Sequence, residues 1–110
     1  MAQKIVDISK YINNDAPQMV LFGKTYTIKN DKKTILLLTA IQSNKSEDVD
    51  ADEKIIKLLV GKEEGAEICD IINKSANYNE NAKIIMLHLL ALATGQDYEV
   101  LEERFQDAIK

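Results

Sequence analysis

The spacing of the apolar residues changes once along the 110-residue chain, and this change constrains the fold more than any other feature. Two β-prone runs, Gln18 to Phe22 and Thr25 to Lys29, flank the dipeptide Gly23-Lys24. After residue 30 the apolar residues recur every three or four positions, which is the period of an amphipathic helix. The sequence therefore predicts a mainly α protein with a small N-terminal β-hairpin, an α+β fold built as a compact bundle of about five helices.

The predicted hairpin depends on Gly23. Glycine at the first of two central turn positions is typical of a type II′ turn, whose twist matches that of the flanking strands. In the second strand Tyr26 and Ile28 point to one face, and Thr25 and Thr27 point to the other. We therefore expect a hairpin with one buried face.

The segment before the hairpin permits two interpretations. Ile5, Ile8 and Ile12 fit one face of a helix, whereas Ile5, Val6 and Ile8 fit a short strand equally well. A turn cluster that ends at Pro17 closes the segment. The sequence does not choose between the two.

The helices are predicted from apolar spacing and from end signals. Asp50, three residues before Glu53, matches a reciprocal capping arrangement, and Asn79 is a further candidate cap. The predicted helices are Lys32 to Gln42, a helix that starts at Asp50 and stops at Gly61, Glu63 to Lys74, Glu80 to Thr94, and a closing helix capped by Asp97. At this length we expect one domain over 1–110, with the N-terminal segment and hairpin in 1–30 and the helical bundle in 31–110.

The helix from Glu80 to Thr94 is apolar nearly all round. Such a helix lies centrally in a core or partly in an interface, and 110 residues leave little protein to cover it. We therefore expect self-association. The closing helix carries a further apolar stripe, which is either a lid on the core or a docking face. The predicted partner-binding residues from these two helices are Leu87, Leu90, Tyr98, Leu101 and Phe105.

The charge balance argues against a nucleic-acid partner. The net charge is −4, and Arg104 is the one arginine among 14 basic residues. Nucleic-acid binding uses Lys and Arg to neutralise phosphates, and Arg to contact guanine in bidentate fashion. Aromatic residues, on which single-stranded bases stack, make up 5% of the chain.

Location and redox state are also constrained by the sequence. Cys69 is the single cysteine, so the fold does not depend on an internal disulfide. The most apolar run, Ile84 to Ala93, is far shorter than a membrane span. We expect a cytoplasmic protein with no membrane partner.

No catalytic constellation is present in the sequence. His88 is the one histidine and lies on the most apolar helix, which predicts a core or interface residue, and Cys69 is predicted to be a small hydrophobe of the core. The acidic run with Asp48, Asp50 and Asp52 resembles the start of a calcium loop. It has Glu53 where that loop needs glycine and Leu59 where it needs a bidentate acid. We predict no enzymatic activity, no cofactor and no metal.

The first half of the chain resembles the tail assembly chaperones of long-tailed bacteriophages that infect low-GC Gram-positive bacteria. The resemblance lies in Lys4-Ile5-Val6-Asp7-Ile8-Ser9, in the hairpin around Gly23-Lys24-Thr25-Tyr26, and in Asn30-Asp31-Lys32-Lys33-Thr34 before an aliphatic helix. It implies binding of the tape-measure protein, a long and largely helical chain, and recruitment of tail-tube subunits in the cytoplasm of an infected or lysogenic host. Such proteins often form homo-oligomers and often have a frameshift-extended form. The resemblance carries no catalytic residue.

Two other classes of function fit the same sequence. One is a small acidic inhibitor or immunity-type protein of a mobile element, whose surface covers a basic site. The other is a structural component of a phage tail or head–tail junction. Genomic neighbourhood separates the three, because a chaperone gene lies just upstream of a very long helical reading frame.

Overall fold

The computed structural model describes the backbone of residues 5–43 and 50–108, and the side chains of those residues as far as 104. Within these ranges a single 3-10 turn, Ser9–Tyr11, precedes a β-hairpin that is followed by five helices. The strands are β1 (Gln18–Leu21) and β2 (Lys24–Thr27), and the helices are α1 (Lys32–Ser43), α2 (Ala51–Val60), α3 (Lys62–Lys74), α4 (Tyr78–Thr94) and α5 (Tyr98–Ala108). The predicted fold class, mainly α with an N-terminal hairpin, is confirmed.

The hairpin turns one residue earlier than predicted. The strands pair antiparallel with Leu21 opposite Lys24, so Phe22 and Gly23 are the central turn residues. Their φ angles are 49° and 80°, and positive φ at both positions is the pattern of a type I′ turn. The type II′ prediction was wrong because the turn is shifted by one residue. Phe22 takes the first central position, where a bulky side chain with positive φ is rare, and Gly23 takes the second.

The faces of the second strand are as predicted. Tyr26 and Ile28 are buried, whereas Thr25 and Thr27 are exposed. The backbone N–H of Lys29 donates to the carbonyl oxygen of Leu59 at 2.7 Å, which joins the end of the hairpin to α2. The buried face of the hairpin is thereby held against the helices.

The segment before the hairpin is neither a long helix nor a strand over residues 5–17. It contains the one 3-10 turn, and every side chain from residue 5 to residue 16 is exposed. Local hydrogen bonds shape it: the N–H of Ser9 donates to Asp7 Oδ1 at 2.9 Å, and that of Asp15 donates to Asn13 Oδ1 at 2.8 Å. Both sequence interpretations of this segment therefore differ from the structure.

Helices α2 and α3 form the tightest unit of the fold. One residue, Gly61, connects them with φ 102° and ψ 161°, a region that is essentially restricted to glycine. A Cβ placed on Gly65 would lie 2.6 Å from the Cα of Lys57, so the two helix backbones are in direct contact there. This close packing supports the centre of the core.

The core is aliphatic and draws on the hairpin and on four helices. Ile28 comes from the end of the hairpin and Leu38 from α1. Tyr26 comes from β2, and the remaining buried residues come from α2, α3 and α4. The largest fully buried side chains are Ile28, Leu38, Ile55, Leu59, Ile68 and Leu89.

Two predicted helix caps are absent. Asp50 precedes α2 with φ −101° and ψ 13° and makes no side-chain capping hydrogen bond, because its backbone is outside the extended region that a capping side chain needs. Glu53 accepts a hydrogen bond from Lys57 Nζ at 2.7 Å rather than reaching back. Helix α4 begins at Tyr78, two residues before the predicted start, so Asn79 lies inside its first turn.

Helix α4 is only partly covered by the rest of the chain. Its buried residues are Ile85, Met86, Leu87, Leu89 and Ala93, and it packs against α2, α3 and α5. Ile84 and His88 are exposed. The core interpretation of His88 was therefore wrong. Among the described residues, no helix combines the length and the apolar character needed to cross a membrane.

Candidate protein-binding surface

Helix α5 is attached to the body of the protein along one edge. It packs chiefly against α4, and none of the side chains from 98 to 104 is fully buried. The ring of Tyr98 stacks on the ring of His88, with 4.1 Å between centroids and 25° between planes. Over residues 98–104 the side chains that hold α5 are at most half-buried, in contrast to the buried aliphatic side chains that hold α2 and α3.

Two polar contacts accompany this stacking. The hydroxyl of Tyr98 donates to Glu102 Oε2 at 3.2 Å, and Lys83 Nζ lies 3.9 Å from the same oxygen. Partial burial, followed by the hydrogen bond to Glu102, raises the pKa of Tyr98. Nδ1 of His88 lies 2.8 Å from the carbonyl oxygen of Ile84, and because a carbonyl only accepts, the neutral ring carries its proton on Nδ1.

A cleft runs along α4 beside the first turn of α2, and we call it the α4 cleft. Its volume is about 320 Å³. Lys83 and Asp52 supply charge at its edges. The α4 cleft is lined by Asp52, Tyr78, Asn79, Ala82, Lys83, Met86, Leu87 and Leu90.

The predicted partner-binding residues lie in two places, the α4 cleft and helix α5. Leu90 is half-buried and lines the α4 cleft, whereas Leu87 lines it with only 6% of its surface exposed. Tyr98 and Leu101 are half-buried on α5. The backbone of Phe105 lies in α5, and its side chain is outside the described residues. Leu87 therefore supports the floor of the surface and offers little contact area itself.

A second cleft lies where the hairpin turn meets α3 and α4, and we call it the hairpin cleft. Its volume is about 180 Å³, and its lining is almost entirely apolar. Phe22 at its rim is 83% exposed. The hairpin cleft is lined by Leu21, Phe22, Ile71, Ile72, Ser75, Asn81, Ile84 and Ile85.

Sequence reasoning missed the hairpin cleft because it placed Phe22 in a strand. The available signal was the dipeptide Phe22-Gly23, since a phenylalanine at a turn position cannot point into the core. The exposed apolar side chains before the hairpin were also missed as a surface. These are Ile5, Val6, Ile8, Tyr11 and Ile12.

An ion pair fixes the hairpin to α3 near its turn. Lys24 Nζ lies 2.5 Å from Glu67 Oε2, and the buried Tyr26 donates its hydroxyl to the same oxygen at 3.3 Å. The hydrogen bond from Lys24 lowers the pKa of Glu67, and the hydrogen bond to Glu67 raises the pKa of Lys24. Burial is the first cause of the raised pKa of Tyr26.

The side chains with potential chemistry do not form a centre within the described residues. Cys69 is half-buried, and burial raises the pKa of its thiol, which disfavours the reactive thiolate. In the part of the chain that the structure describes, no group of three or more His, Cys, Asp or Glu side chains is arranged to hold a metal ion. Asp48 of the acidic run lies outside the described residues.

Comparisons with protein-family models, with curated proteins and with solved structures found no match to this chain.

Proposed function

We propose that this chain is a non-enzymatic binding protein, a phage tail assembly chaperone that binds the tape-measure protein along the α4 cleft and recruits tail-tube subunits. The observation that carries the proposal is the row of side chains along the cleft. Tyr78, Ala82, Met86 and Leu90 recur every four residues on α4. Residues at this spacing form a continuous ridge along a helix, and such a ridge packs into the groove of a second helix.

The exposure along this ridge suits an incoming helix. Tyr78 at one end is 51% exposed, Ala82 and Leu90 are half-buried, and Met86 is buried between them. A small residue permits close approach of two helix axes, and methionine adapts its shape to different partners. Amphipathic helices bind to apolar grooves of this kind through side chains one turn apart.

The edges of the α4 cleft are polar. Asp52 and Lys83 carry opposite charges at its rim, and Glu99 and Glu103 on α5 are exposed. A polar rim around an apolar centre is the usual anatomy of a protein-binding surface. The opposite charges of Asp52 and Lys83 favour a partner helix that carries charges of both signs on its flanks.

The light attachment of α5 supports the same proposal. Over residues 98–104 α5 contributes only half-buried and exposed side chains, whereas α2 and α3 contribute fully buried ones. A helix held in this way can shift to admit a partner helix beside α4. On the docking interpretation Tyr98, Leu101 and Phe105 then contact the partner together with Leu90.

The test is co-expression with a tape-measure protein, a long helical chain that this proposal expects to be encoded just downstream. We expect the chain to increase the soluble fraction of that protein and the double variant Tyr78→Ala with Leu90→Ala to lose this effect. The matched control is Leu36→Ala with Leu37→Ala, because both leucines are exposed on α1, away from the cleft. Circular dichroism confirms that each variant is folded. If the double variant Tyr78→Ala with Leu90→Ala is folded and still keeps the tape-measure protein soluble, the proposal is contradicted. The inhibitor and the structural-component functions would then be the better explanations.

A further inference from the structure

The two strands of the hairpin differ in what their outer edges meet. The N–H of Ile28 donates to the carbonyl oxygen of Pro17 at 2.9 Å, so the backbone groups of Pro17 point inward, toward β2. Backbone groups along a paired strand point alternately inward and outward. The outer edge of β1, continued by the residue before Pro17, is therefore formed by the N–H and C=O groups of Ala16, Gln18 and Val20.

The outer edge of β2 is joined to a helix, whereas that of β1 is not. The N–H of Lys29, which points outward from the end of the second strand, donates to the carbonyl oxygen of Leu59 in α2 at 2.7 Å. Among the described residues, no backbone group makes a hydrogen bond to the outward groups of Ala16, Gln18 or Val20. Within the described part of the chain, β1 is therefore the open edge of this two-stranded sheet.

The open edge lacks the features that usually prevent an edge strand from pairing with another chain. Such features are a charged side chain, a bulge or a proline on the edge. No side chain from residue 16 to residue 22 is charged, and β1 pairs with β2 in a continuous register. Pro17 does not block the outer edge, because the N–H that proline lacks would point inward. The edge of β1 is therefore able to bond to a further strand.

We propose that β1 of one copy pairs antiparallel with β1 of a second copy, about a two-fold axis at Met19. In this register the outward groups of Gln18 in each copy bond to those of Val20 in the other. The same edge residues serve both copies, so the contact is self-complementary and closes a dimer. The two hairpins then form one four-stranded sheet.

The charges at the two ends of β1 select a second copy as the occupant. The chain carries a net charge of −4, yet its residues 16–22 are neutral, so self-pairing places no like charges at the axis. The nearest charged residues on either side are Asp15 and Lys24, which have opposite signs. Antiparallel pairing sets Asp15 of each copy near Lys24 of the other, whereas parallel pairing would bring like charges together.

The contact is small, which sets the strength of the dimer. β1 has four residues, and a ladder of that length buries less than the roughly 1,200 Å² at which standard specific interfaces begin. Interfaces below this size are weak, so we expect a dissociation constant on the order of 10⁻⁴ M. β1 contributes no residue to the α4 cleft, so this inference does not depend on the proposed function.

The first test is sedimentation equilibrium of the full chain at concentrations up to about 1 mM, which is well above the expected dissociation constant. We expect the apparent mass to rise from 12.4 kDa toward twice that value. Val20→Pro removes an outward N–H and leaves the bonds within the hairpin intact, so it should raise the dissociation constant by about tenfold or more. The matched control is Val20→Thr, which keeps both the N–H and a β-branched side chain and should leave the dimer unchanged.

A second variant acts on the same edge without proline. Gln18→Lys with Val20→Lys changes two exposed side chains, so the hairpin keeps its buried face. Like charges then lie opposite each other across the axis, and we expect a monomer over the whole concentration series. Circular dichroism melting shows whether each variant is folded. A parent chain that is monomeric at about 1 mM, or a dimer that both Val20→Pro and the double lysine variant retain, would overturn the inference.

The second test locates the two-fold axis. In a Cys69→Ala background, Met19→Cys would place two thiols opposite each other at a pair without hydrogen bonds, where the Cα atoms lie about 4.5 Å apart, within disulfide range. We expect a covalent dimer under mild oxidation. The control is Leu21→Cys, on the same face of β1 but opposite Pro17 of the other copy, which should stay monomeric. Cross-linking of neither variant, or of Leu21→Cys alone, would overturn the pairing.

Discussion

The α2–α3 unit and helix α5 are held in opposite ways. Between α2 and α3 the backbones touch at Gly65, and Leu59 and Ile68 are completely buried. Among the described side chains of α5, the Tyr98 ring stacks on His88 of α4 and Leu101 is half-buried. Free energies of local opening vary across a protein with the apolar area that each unit buries. We therefore expect α2 and α3 to open only with global unfolding, and α5 to open at much lower cost.

The largest effect is expected from truncating the centre of the tight unit. Leu59→Ala removes a fully buried side chain, and such changes cost about 2–5 kcal/mol because a cavity remains. Urea unfolding followed by circular dichroism measures the loss. Leu36→Ala on the exposed face of α1 is the control, and an equal loss from both variants would contradict the described core.

A smaller loss is expected where the two helices touch. The methyl group of Gly65→Ala would lie 2.6 Å from the Cα of Lys57, so α2 and α3 must move apart. Overpacking of this kind costs about 1–3 kcal/mol. The control is Ala66→Gly at an exposed position of the same helix. If Gly65→Ala were as stable as the parent chain, the close approach of the helices would be wrong.

The same comparison applied to α5 gives a still smaller expected loss. Leu101→Ala with Phe105→Ala removes the stripe that forms either a lid or a docking face. Because Leu101 is half-buried, we expect its truncation alone to lower the free energy of unfolding by less than the roughly 2 kcal/mol at which core truncations begin, and the docking interpretation predicts that the addition of Phe105→Ala leaves the protein folded. We also expect the variant to lose the solubilising effect on the downstream helical protein. A loss as large as that of Leu59→Ala would establish the lid interpretation instead.

The smallest effect concerns the ion pair between the hairpin and α3. The folded pKa of Glu67 lies below its ordinary value because Lys24 donates to it. The stabilisation is therefore present above the ordinary glutamate pKa and is lost as pH falls through the folded pKa. The pKa of Lys24 is raised, so a matching loss occurs as the pH rises through that value. Both groups are at the surface, which keeps the effect small.

Melting temperature against pH, for the parent chain and for Glu67→Gln, measures this ion pair. We expect the melting temperature of the variant to fall less steeply than that of the parent chain as the pH is lowered. Glu63→Gln, also exposed and on the same helix, should follow the parent curve. If the melting temperatures of the parent and of Glu67→Gln fell equally at low pH, the ion pair would not stabilise the protein in solution.

Much of the fold could be predicted because most of its helices and its second strand bury apolar residues at regular spacing along the sequence. The buried Tyr26 and Ile28, and the helix Lys62–Lys74 within one residue of its predicted start, follow directly from apolar spacing. The turn at Phe22 and the start of α4 could not be predicted in this way. Left-handed backbone at Phe22 and Asn77 is set by strand register and by packing, which local propensity does not report.

The candidate surfaces were predicted only in part. The sequence identified α4 and α5 but not which side of α4 the chain covers, so it included the buried Leu87 and assigned the exposed His88 to a core or an interface. Apolar periodicity shows that a face is buried and does not identify its partner. The same limit hid the exposed apolar residues of segment 5–12, which the described part of the chain leaves uncovered.

Hydrogen exchange on the complex with the downstream helical protein tests the central proposal most directly. If a partner helix binds along the α4 cleft, protection rises in residues 78–104 and stays unchanged in residues 51–74, whose amides are already protected in the core. Protection that rises in neither region, or only in residues 5–27, would contradict binding at the α4 cleft.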